Sequence, residues 1–446
     1  MIKDKRAALA VLFEYCYLVM VAVIALMAFN YTTMSGIVFP AMLHRVVLFG
    51  TALIVAGRYI TAEHLDFRQV ALALAIVVIF YIAGRNANQR LGELALLIVG
   101  ARGLRFEKIL RVYFVCILTA MILTVVLALS GVIENLVYAR ERDNSDQVYM
   151  RSCYGICSPT DLGAHVMYLV CCYAWLRERR MQWFELLIPI GAAAALFYMS
   201  DARCDAACLV VLAVGLIYVK LRRTLSLKQG KVYRMDRRLS FVMAGVSIPA
   251  AVISLGLAFI YDPHAGWMRK LNAVLSKRLD LSHRGVSRYP LTLFGQFVKM
   301  NGWGGNTEYH NGYFWIDCSY IITLLQYGVL VLGIAIAILT VASFRQRKIG
   351  SWERLGILTL VAVQCMVEHH LTEISYNPFL LLAFAAVAAD TAAPVRQDPR
   401  FIDVPEPVAV PYLEPANPEN AEDSEKPDPQ KSAKERKKSQ KSSKKR

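Results

Sequence analysis

The chain has 446 residues, of which 56% are hydrophobic, and its formal net charge is +16 at pH 7. This apolar content excludes an ordinary water-soluble protein and predicts a polytopic membrane protein. Half of the net charge lies in residues 431–446, which hold nine Lys or Arg and one Glu, so it favours contact with anionic lipid headgroups over nucleic acid. The ten cysteines show neither CxxC nor zinc-ligand spacing, and we expect no metal and no cofactor.

Twelve apolar segments approach the roughly 20 residues that a membrane-spanning helix needs. In chain order they are residues 9–29, 39–57, 69–84, 88–101, 109–131, 160–176, 183–200, 204–219, 239–260, 317–342, 353–370 and 377–392. The fourth segment is short and carries Glu93, which is typical of a half-helix. The predicted fold is therefore all-α, with ten to twelve transmembrane helices.

Basic residues are concentrated in connections that share one face of the membrane if the number of spans is even. By the positive-inside rule this face is cytoplasmic, which places both termini in the cytoplasm. Residues 1–392 form the predicted membrane domain, and the long connection 261–316 falls on the outer face. Residues 393–446 are Pro-rich and then Lys/Arg-rich, a composition that predicts a disordered cytoplasmic tail.

The connection 261–316 is too long and too rich in charged and aromatic residues to be a simple linker, and we predict that it carries part of an active site. Ionisable groups at the ends of spans are costly and therefore indicate function. Three clusters of them lie on the same outer face: residues 151–159, residues 200–205, and Glu368, His369 and His370 with Glu373.

Several arginines on the outer face suit a diphosphate, because a guanidinium pairs bidentately with phosphate oxygens and keeps its charge. A nearby carboxylate or imidazole could accept the proton of an attacking hydroxyl. The candidates for diphosphate binding are Arg151, Arg203, Arg278, Arg284 and Arg288. Together these features predict a lipid-diphosphate substrate that is handled outside the cytoplasm.

Simpler interpretations of these residues stay open. Arg203 could form a self-neutralising turn with Asp201 and Asp205. Arg284 and Arg288 are four residues apart and could lie on a solvated helix face, and His369 and His370 could be interfacial.

Six short segments resemble, in their order and spacing, the O-antigen and capsular or exopolysaccharide polymerases of bacteria, in the form common in Gram-positive organisms. They are LLIVGARGLRFEKILR (96–111), RSCYGICSPTDLG (151–163), YMSDARCDAACL (198–209), LNAVLSKRLDL (271–281), YPLTLFGQ (289–296) and YFWIDCSYIITLLQYG (313–328). Lys277 departs from the pattern, because the family usually has Gly before the loop arginine.

The resemblance implies an all-helical, GT-C-like membrane glycosyltransferase in the bacterial cytoplasmic membrane that works without a metal. Such an enzyme joins repeat units carried on undecaprenyl diphosphate at the outer face. The implied partners are these lipid-linked oligosaccharides, membrane lipids, and the flippase and chain-length regulator of the pathway. The residues that we assign on this basis are Asp317, His310 or Glu368 as the base, and Trp303, Tyr313, Trp315 and Tyr320 as sugar contacts.

Two other functions stay open. A ligase that transfers finished glycan to another acceptor would use the same arginine chemistry. A transporter or flippase for the same lipid would instead show internal repeats and broken helices near the middle of the membrane, and no repeat is evident in the sequence.

Overall fold

The computed structural model describes residues 2–34, 39–62, 66–142, 145–302 and 312–387. The chain divides into two units, Met1–Ala392 and Ala393–Arg446. The second unit lies wholly outside the described residues, and so does the tail that the sequence predicts to be disordered. Every helix and strand given below belongs to the first unit.

The described residues fold mainly into helices, and their one sheet is a two-stranded hairpin. The helices are α1 (Ile2–Ala28), α2 (Ala41–Thr61), α3 (Phe67–Ala87), α4 (Leu91–Gly100), α5 (Phe106–Leu129), α6 (Pro159–Arg177), α7 (Leu187–Ala195), α8 (Arg203–Lys228), α9 (Arg237–Gly245), α10 (Ser247–Ile260), α11 (Gly266–Val274), α12 (Arg278–Arg288), α13 (Ser319–Ile322), α14 (Gly328–Ile349) and α15 (Trp352–Gln364). The strands β1 (Val137–Arg142) and β2 (Ser145–Ser152) lie between α5 and α6. Short 3₁₀ turns occur at Glu178–Arg180, Phe184–Leu186, His370–Thr372 and Phe379–Ala383, and π turns at Leu196–Ser200 and Thr323–Tyr327.

Six helices in the described part of the chain are long and apolar enough to cross a membrane. They are Lys5–Ala28, α2, α3, α5, α8 and the stretch Ser319–Ile349, which runs from α13 through a π turn into α14. A seventh arises if α9 and α10, which are bent by 52° at their junction, form one broken span. The chain is therefore a helical multi-pass membrane protein, which confirms the predicted class.

The six or seven candidate spans found among the described residues are fewer than the expected ten to twelve. Helix α4 has ten residues and α15 has 13, so at about 1.5 Å per residue neither covers a hydrocarbon core of roughly 30 Å. Of the expected last span, 377–392, the structure describes residues up to 387, where Phe379–Ala383 forms only a 3₁₀ turn. Apolar composition predicted these segments as full spans, but composition alone does not show where a helix ends.

The interior is built around α6, while the outer helices expose apolar side chains. Trp175 of α6 packs against Phe106 of α5 and against Phe379, with ring centroids 5.2 and 5.4 Å away. All three side chains are buried. On α2, by contrast, Phe49 and Leu53 are 67% and 73% exposed, as expected of a face that meets lipid.

The hairpin of β1 and β2 is an exception to the all-α prediction. Its strands are antiparallel, with Tyr138 opposite Arg151 and a register shift between Glu141 and Arg142. The Tyr138 hydroxyl donates a hydrogen bond of 2.8 Å to the carbonyl of Cys157. The hairpin therefore ties the turn before α6 to the strand that carries Arg151.

The long connection 261–316 contains structure of its own. Helices α11 and α12 fill its first half, and an extended stretch follows from Tyr289. Residues 303–311 lie outside the described part of the chain, but the two sides of that gap are joined because Asn301 and Phe314 exchange backbone hydrogen bonds of 2.8 and 2.9 Å.

The extended stretch packs directly on the kink before α14. Val329 N donates to Thr292 O at 3.0 Å, and Gln296 N donates to Gln326 O at 3.1 Å. Gly295 and Gly328 meet at this contact, both with positive φ (76° and 89°). A Cβ at either position would overlap backbone atoms of the other segment, so this approach requires glycine at both.

We predict that Gly295→Ala lowers the free energy of unfolding by about 2–4 kcal/mol, because the methyl group meets the Gln326 carbonyl and the backbone has a left-handed conformation. Gly333→Ala on α14 is the matched control, since a Cβ there has no neighbour within 4 Å. The control should be neutral or gain up to about 1 kcal/mol. Thermal unfolding in detergent measures both, and equal melting temperatures for the two variants would refute the packing contact.

Candidate functional site

An open cavity of about 1250 Å³ brings together side chains from distant parts of the sequence. Four arginines, four carboxylates and three histidines line it: Arg85, Arg90, Arg151, Arg278, Glu93, Asp161, Asp317, Glu373, His44, His165 and His369. Tyr313 and Trp315, both predicted sugar contacts, lie on its wall. The cavity thus combines five predicted site residues, namely Arg151, Arg278, Asp317, Tyr313 and Trp315.

Arg278 is the most extensively paired of these groups. Its Nη1 donates to Glu368 Oε1 at 2.7 Å and to the carbonyl of Val367 at 2.6 Å. Its Nε lies 3.1 Å from Asp317 Oδ2. The side chain is 15% exposed, and that of Glu368 is 1% exposed. A guanidinium therefore links the long connection to the start of α13 and to the break after α15.

A strained turn positions Arg278 as the first residue of α12. Ser276 and Lys277 both have left-handed backbone conformations, with φ of 55° and 67°. Asn272 stabilises the turn from α11, because its carbonyl oxygen accepts from Lys277 N at 2.8 Å and its side chain accepts from Asp280 N at 3.0 Å. Lys277 has a left-handed backbone conformation, which glycine adopts without strain. A glycine, which the resembled family usually has at this position, would avoid the conformational cost that lysine carries here.

Arg151 reaches the cavity from the end of β2. Its Nε donates to the carbonyl of Ser200 at 3.1 Å, and its Nη2 lies 3.5 Å from the carbonyl of Asp201. These contacts fix the guanidinium against the turn before α8. Two of the clusters that were separate in the sequence, 151–159 and 200–205, therefore adjoin.

A second group of ionisable side chains lies beside Asp317. His369 Nε2 lies 4.0 Å from Asp161 Oδ1 and 3.5 Å from Glu373 Oε1, and His370 Nε2 lies 3.8 Å from Asp161 Oδ1. Tyr376 stacks on His370 at 4.0 Å between ring centroids and donates its hydroxyl to Asp161 Oδ1 at 3.2 Å. His369 Nδ1 lies 4.0 Å from Asp317 Oδ1, so the second group borders the Arg278 pair.

Burial sets the protonation of these groups, which lie outside the six candidate spans. It raises the pKa of Glu368 to about 7, although Arg278 acts in the opposite direction. It lowers the pKa of His369 to about 4 and that of His370 to about 3. Both imidazoles are therefore neutral at pH 7 and keep a nitrogen lone pair.

Other predicted site residues lie away from the cavity wall. Arg203 pairs with Asp201 at 2.8 Å, which matches the self-neutralising turn. Arg284 is half-exposed and pairs with Asp280, and Arg288 lies over the Phe314 ring at 4.9 Å. Tyr320 is buried, and its hydroxyl donates to Ala362 O at 2.7 Å. Trp303 and His310 lie outside the described residues.

Glu368, a predicted base, is not on the cavity wall either, because its side chain turns inward to Arg278. Asp161 and Tyr376 were missed by the sequence reasoning, although both line the cavity. A carboxylate in the first turn of an apolar helix was the available signal for Asp161. No such signal in the sequence indicated Tyr376, since tyrosine is common near the ends of membrane spans.

Comparisons of the chain with protein-family models, with curated proteins and with solved structures find no match.

We predict that Lys277→Gly raises the free energy of unfolding by about 0.5–1 kcal/mol, because glycine removes the cost of the left-handed backbone. Lys270→Gly is the control, since Lys270 is exposed within α11, where glycine costs about 1 kcal/mol. Thermal unfolding should move in opposite directions for the two variants. A loss for Lys277→Gly would contradict the proposed strain.

Proposed function

We propose that this protein is a polysaccharide polymerase of the cytoplasmic membrane that acts on lipid-diphosphate-linked oligosaccharides. Its fold would be that of an all-helical, GT-C-like glycosyltransferase, with both termini in the cytoplasm and the cavity open to the outer face. The observation that carries the proposal is the single cavity that unites Arg151, Arg278, Asp317, Tyr313 and Trp315.

The cavity suits a substrate that is both large and charged. A volume of about 1250 Å³ exceeds the 300–1,000 Å³ range of typical small-molecule sites, as the meeting of two glycan chains requires. Arg278 and Arg151 are held by their neighbours with the guanidinium at the wall, so their positions are set before a diphosphate arrives. Tyr313 and Trp315 offer ring faces for sugars.

In the proposed reaction a hydroxyl of the incoming unit attacks the anomeric carbon of the growing chain. The bond from that carbon to the diphosphate oxygen breaks, and the lipid diphosphate leaves with the electron pair. Asp317, which is the predicted base on the cavity wall, accepts the hydroxyl proton. The donor is already activated, so the protein contributes mainly alignment and stabilisation of the leaving group.

We predict that Arg278→Lys reduces polymer formation about a hundredfold, because an ammonium cannot replace the planar set of donors that bind a diphosphate. This loss corresponds to about 2–4 kcal/mol of transition-state stabilisation. The measurement is the polymer ladder made by purified protein from lipid-linked units, at matched protein amount and with melting temperature recorded.

The matched control for this prediction is Arg284→Lys, because Arg284 is half-exposed and lies off the cavity wall. It should give a wild-type ladder. A wild-type ladder for folded Arg278→Lys would remove Arg278 from the binding of the leaving group.

A transporter of the same lipid is the second candidate, because the 52° bend between α9 and α10 is the kind of broken helix that transporters use. Liposomes with lipid-linked units in the outer leaflet separate the two functions. We expect polymer to form without movement of the lipid between leaflets. Movement without polymer would favour the transporter and would reject the polymerase.

A further inference from the structure

Three side chains that the proposed reaction does not use converge beside the cavity. Asp161 of α6 and His369 lie on its wall, and His370 lies buried behind them in the break after α15. We propose that they bind a divalent transition-metal ion. This inference does not depend on the glycan reaction. It differs from the prediction, made from the sequence, that the protein binds no metal.

The separations of the three ligand atoms fit one ion. One ligand atom from each residue lies within 4.8 Å of the others, and Asp161 Oδ1 lies 4.0 and 3.8 Å from the Nε2 atoms of His369 and His370. A tetrahedral ion with bonds of 2.0–2.1 Å separates its ligands by about 3.4 Å. The two carboxylate–imidazole separations would therefore shorten by about 0.4–0.6 Å on binding, and the separation of the two imidazole nitrogens by at most about 1.4 Å.

The buried nitrogens of the cluster have no hydrogen-bond partner. His370 is 0% exposed, and neither Nδ1 nor Nε2 forms a hydrogen bond. His369 Nδ1 is likewise unsatisfied. The carboxylate oxygens of Asp161 and Glu373 lie 3.5–4.0 Å from the imidazole nitrogens, which is too far for normal hydrogen bonds. The imidazole nitrogens and the carboxylates are therefore close together without bonding to each other. A cation between them would satisfy His370 Nε2 and Asp161 together.

Charge distinguishes this cluster from its neighbour. Asp317, Glu368 and His369 also meet, but Arg278 already forms ion pairs with both of these carboxylates. Among the described residues no Lys or Arg forms an ion pair with Asp161, whose Oδ1 accepts from the Tyr376 hydroxyl at 3.2 Å. Of these two clusters, the cluster that contains Asp161 is therefore the one without a basic side chain paired to its carboxylate.

The ligand types indicate the class of metal. Two neutral imidazoles with one carboxylate suit zinc, manganese or iron, whereas magnesium and calcium prefer oxygen ligands alone. Glu373 Oε1 lies 3.5 Å from His369 Nε2, at the edge of the cluster. Its Oε2 lies 3.8 Å from His370 Nδ1, the position from which a carboxylate commonly orients a metal-bound histidine.

The test is zinc binding by the full chain, purified in detergent and dialysed against a limiting zinc buffer. We expect about one equivalent in the wild type by elemental analysis. His370→Gln and Asp161→Asn should each weaken binding at least tenfold. His283→Gln is the control, because His283 lies on α12 and bonds the Ala258 carbonyl instead; it should bind zinc as the wild type does.

Cobalt in place of zinc identifies the ligands and keeps the test informative if a variant fails to fold. The wild type should show visible d–d bands without a near-ultraviolet sulfur-to-metal band. A sulfur band would show that one of the ten cysteines holds the ion and would overturn the proposal. Less than a tenth of an equivalent of zinc in the wild type, or wild-type binding by folded His370→Gln, would overturn it as well.

Discussion

The contact on which the rest of the site depends is the buried pairing of Arg278 with Asp317 and Glu368. It joins three segments that are far apart in the sequence: the start of α12, the residue before α13 and the break after α15. Removal of one member of a buried ion pair costs about 3–5 kcal/mol, because a charge is left without compensation. The same guanidinium that we assign to diphosphate binding therefore also holds the cavity wall together.

The cavity lies where helices break. Helix α15 ends at Gln364, and the chain then runs through Glu368 and His369 without regular helix before the 3₁₀ turn at His370–Thr372. On the opposite side, a π turn and Gly328 interrupt the stretch from Ser319 to Ile349. Buried backbone polar groups at such breaks need hydrogen-bond partners from other segments. The Ser319 backbone N–H illustrates this, since it donates to the carbonyls of Cys365 and Glu368 at 2.9 and 3.1 Å.

The sequence predicted the membrane class and several wall residues, because both depend on local properties. Apolar segments locate helices. A charged residue beside such a segment is energetically costly and therefore indicates a functional site, as it did for Arg151, Arg278 and Asp317. The pairing of these charges depends on contacts between residues 39 to 90 positions apart, and no local pattern encodes them. For this reason the sequence grouped Glu368 with His369 by adjacency alone, and it did not show that Glu368 pairs with Arg278 or that His369 lies beside Asp161.

The early ends of these helices could not be predicted from local sequence for a related reason. Hydropathy reports how apolar a segment is, and a short helix buried in protein is as apolar as one in lipid. Helix α4 is buried along its whole length, and Glu93 within it pairs with His44 at 3.0 Å. The hairpin was missed because its residues 137–152 are polar, and polar composition alone does not separate a strand from a loop.

Charge balance limits what the cavity can bind. Its wall carries four arginines and four carboxylates, so an incoming diphosphate meets no net positive charge if every carboxylate is ionised. Arg278 is paired with two acids, Asp317 and Glu368. The net charge of these three groups is zero only when Glu368 holds a proton, which its raised pKa of about 7 favours. A divalent cation at Asp161 would supply two further positive charges close to Asp317. The proposed metal site and the proposed diphosphate chemistry thus address the same electrostatic requirement, because an anion is stabilised in a partly buried cavity only where positive charge exceeds the negative charge already present.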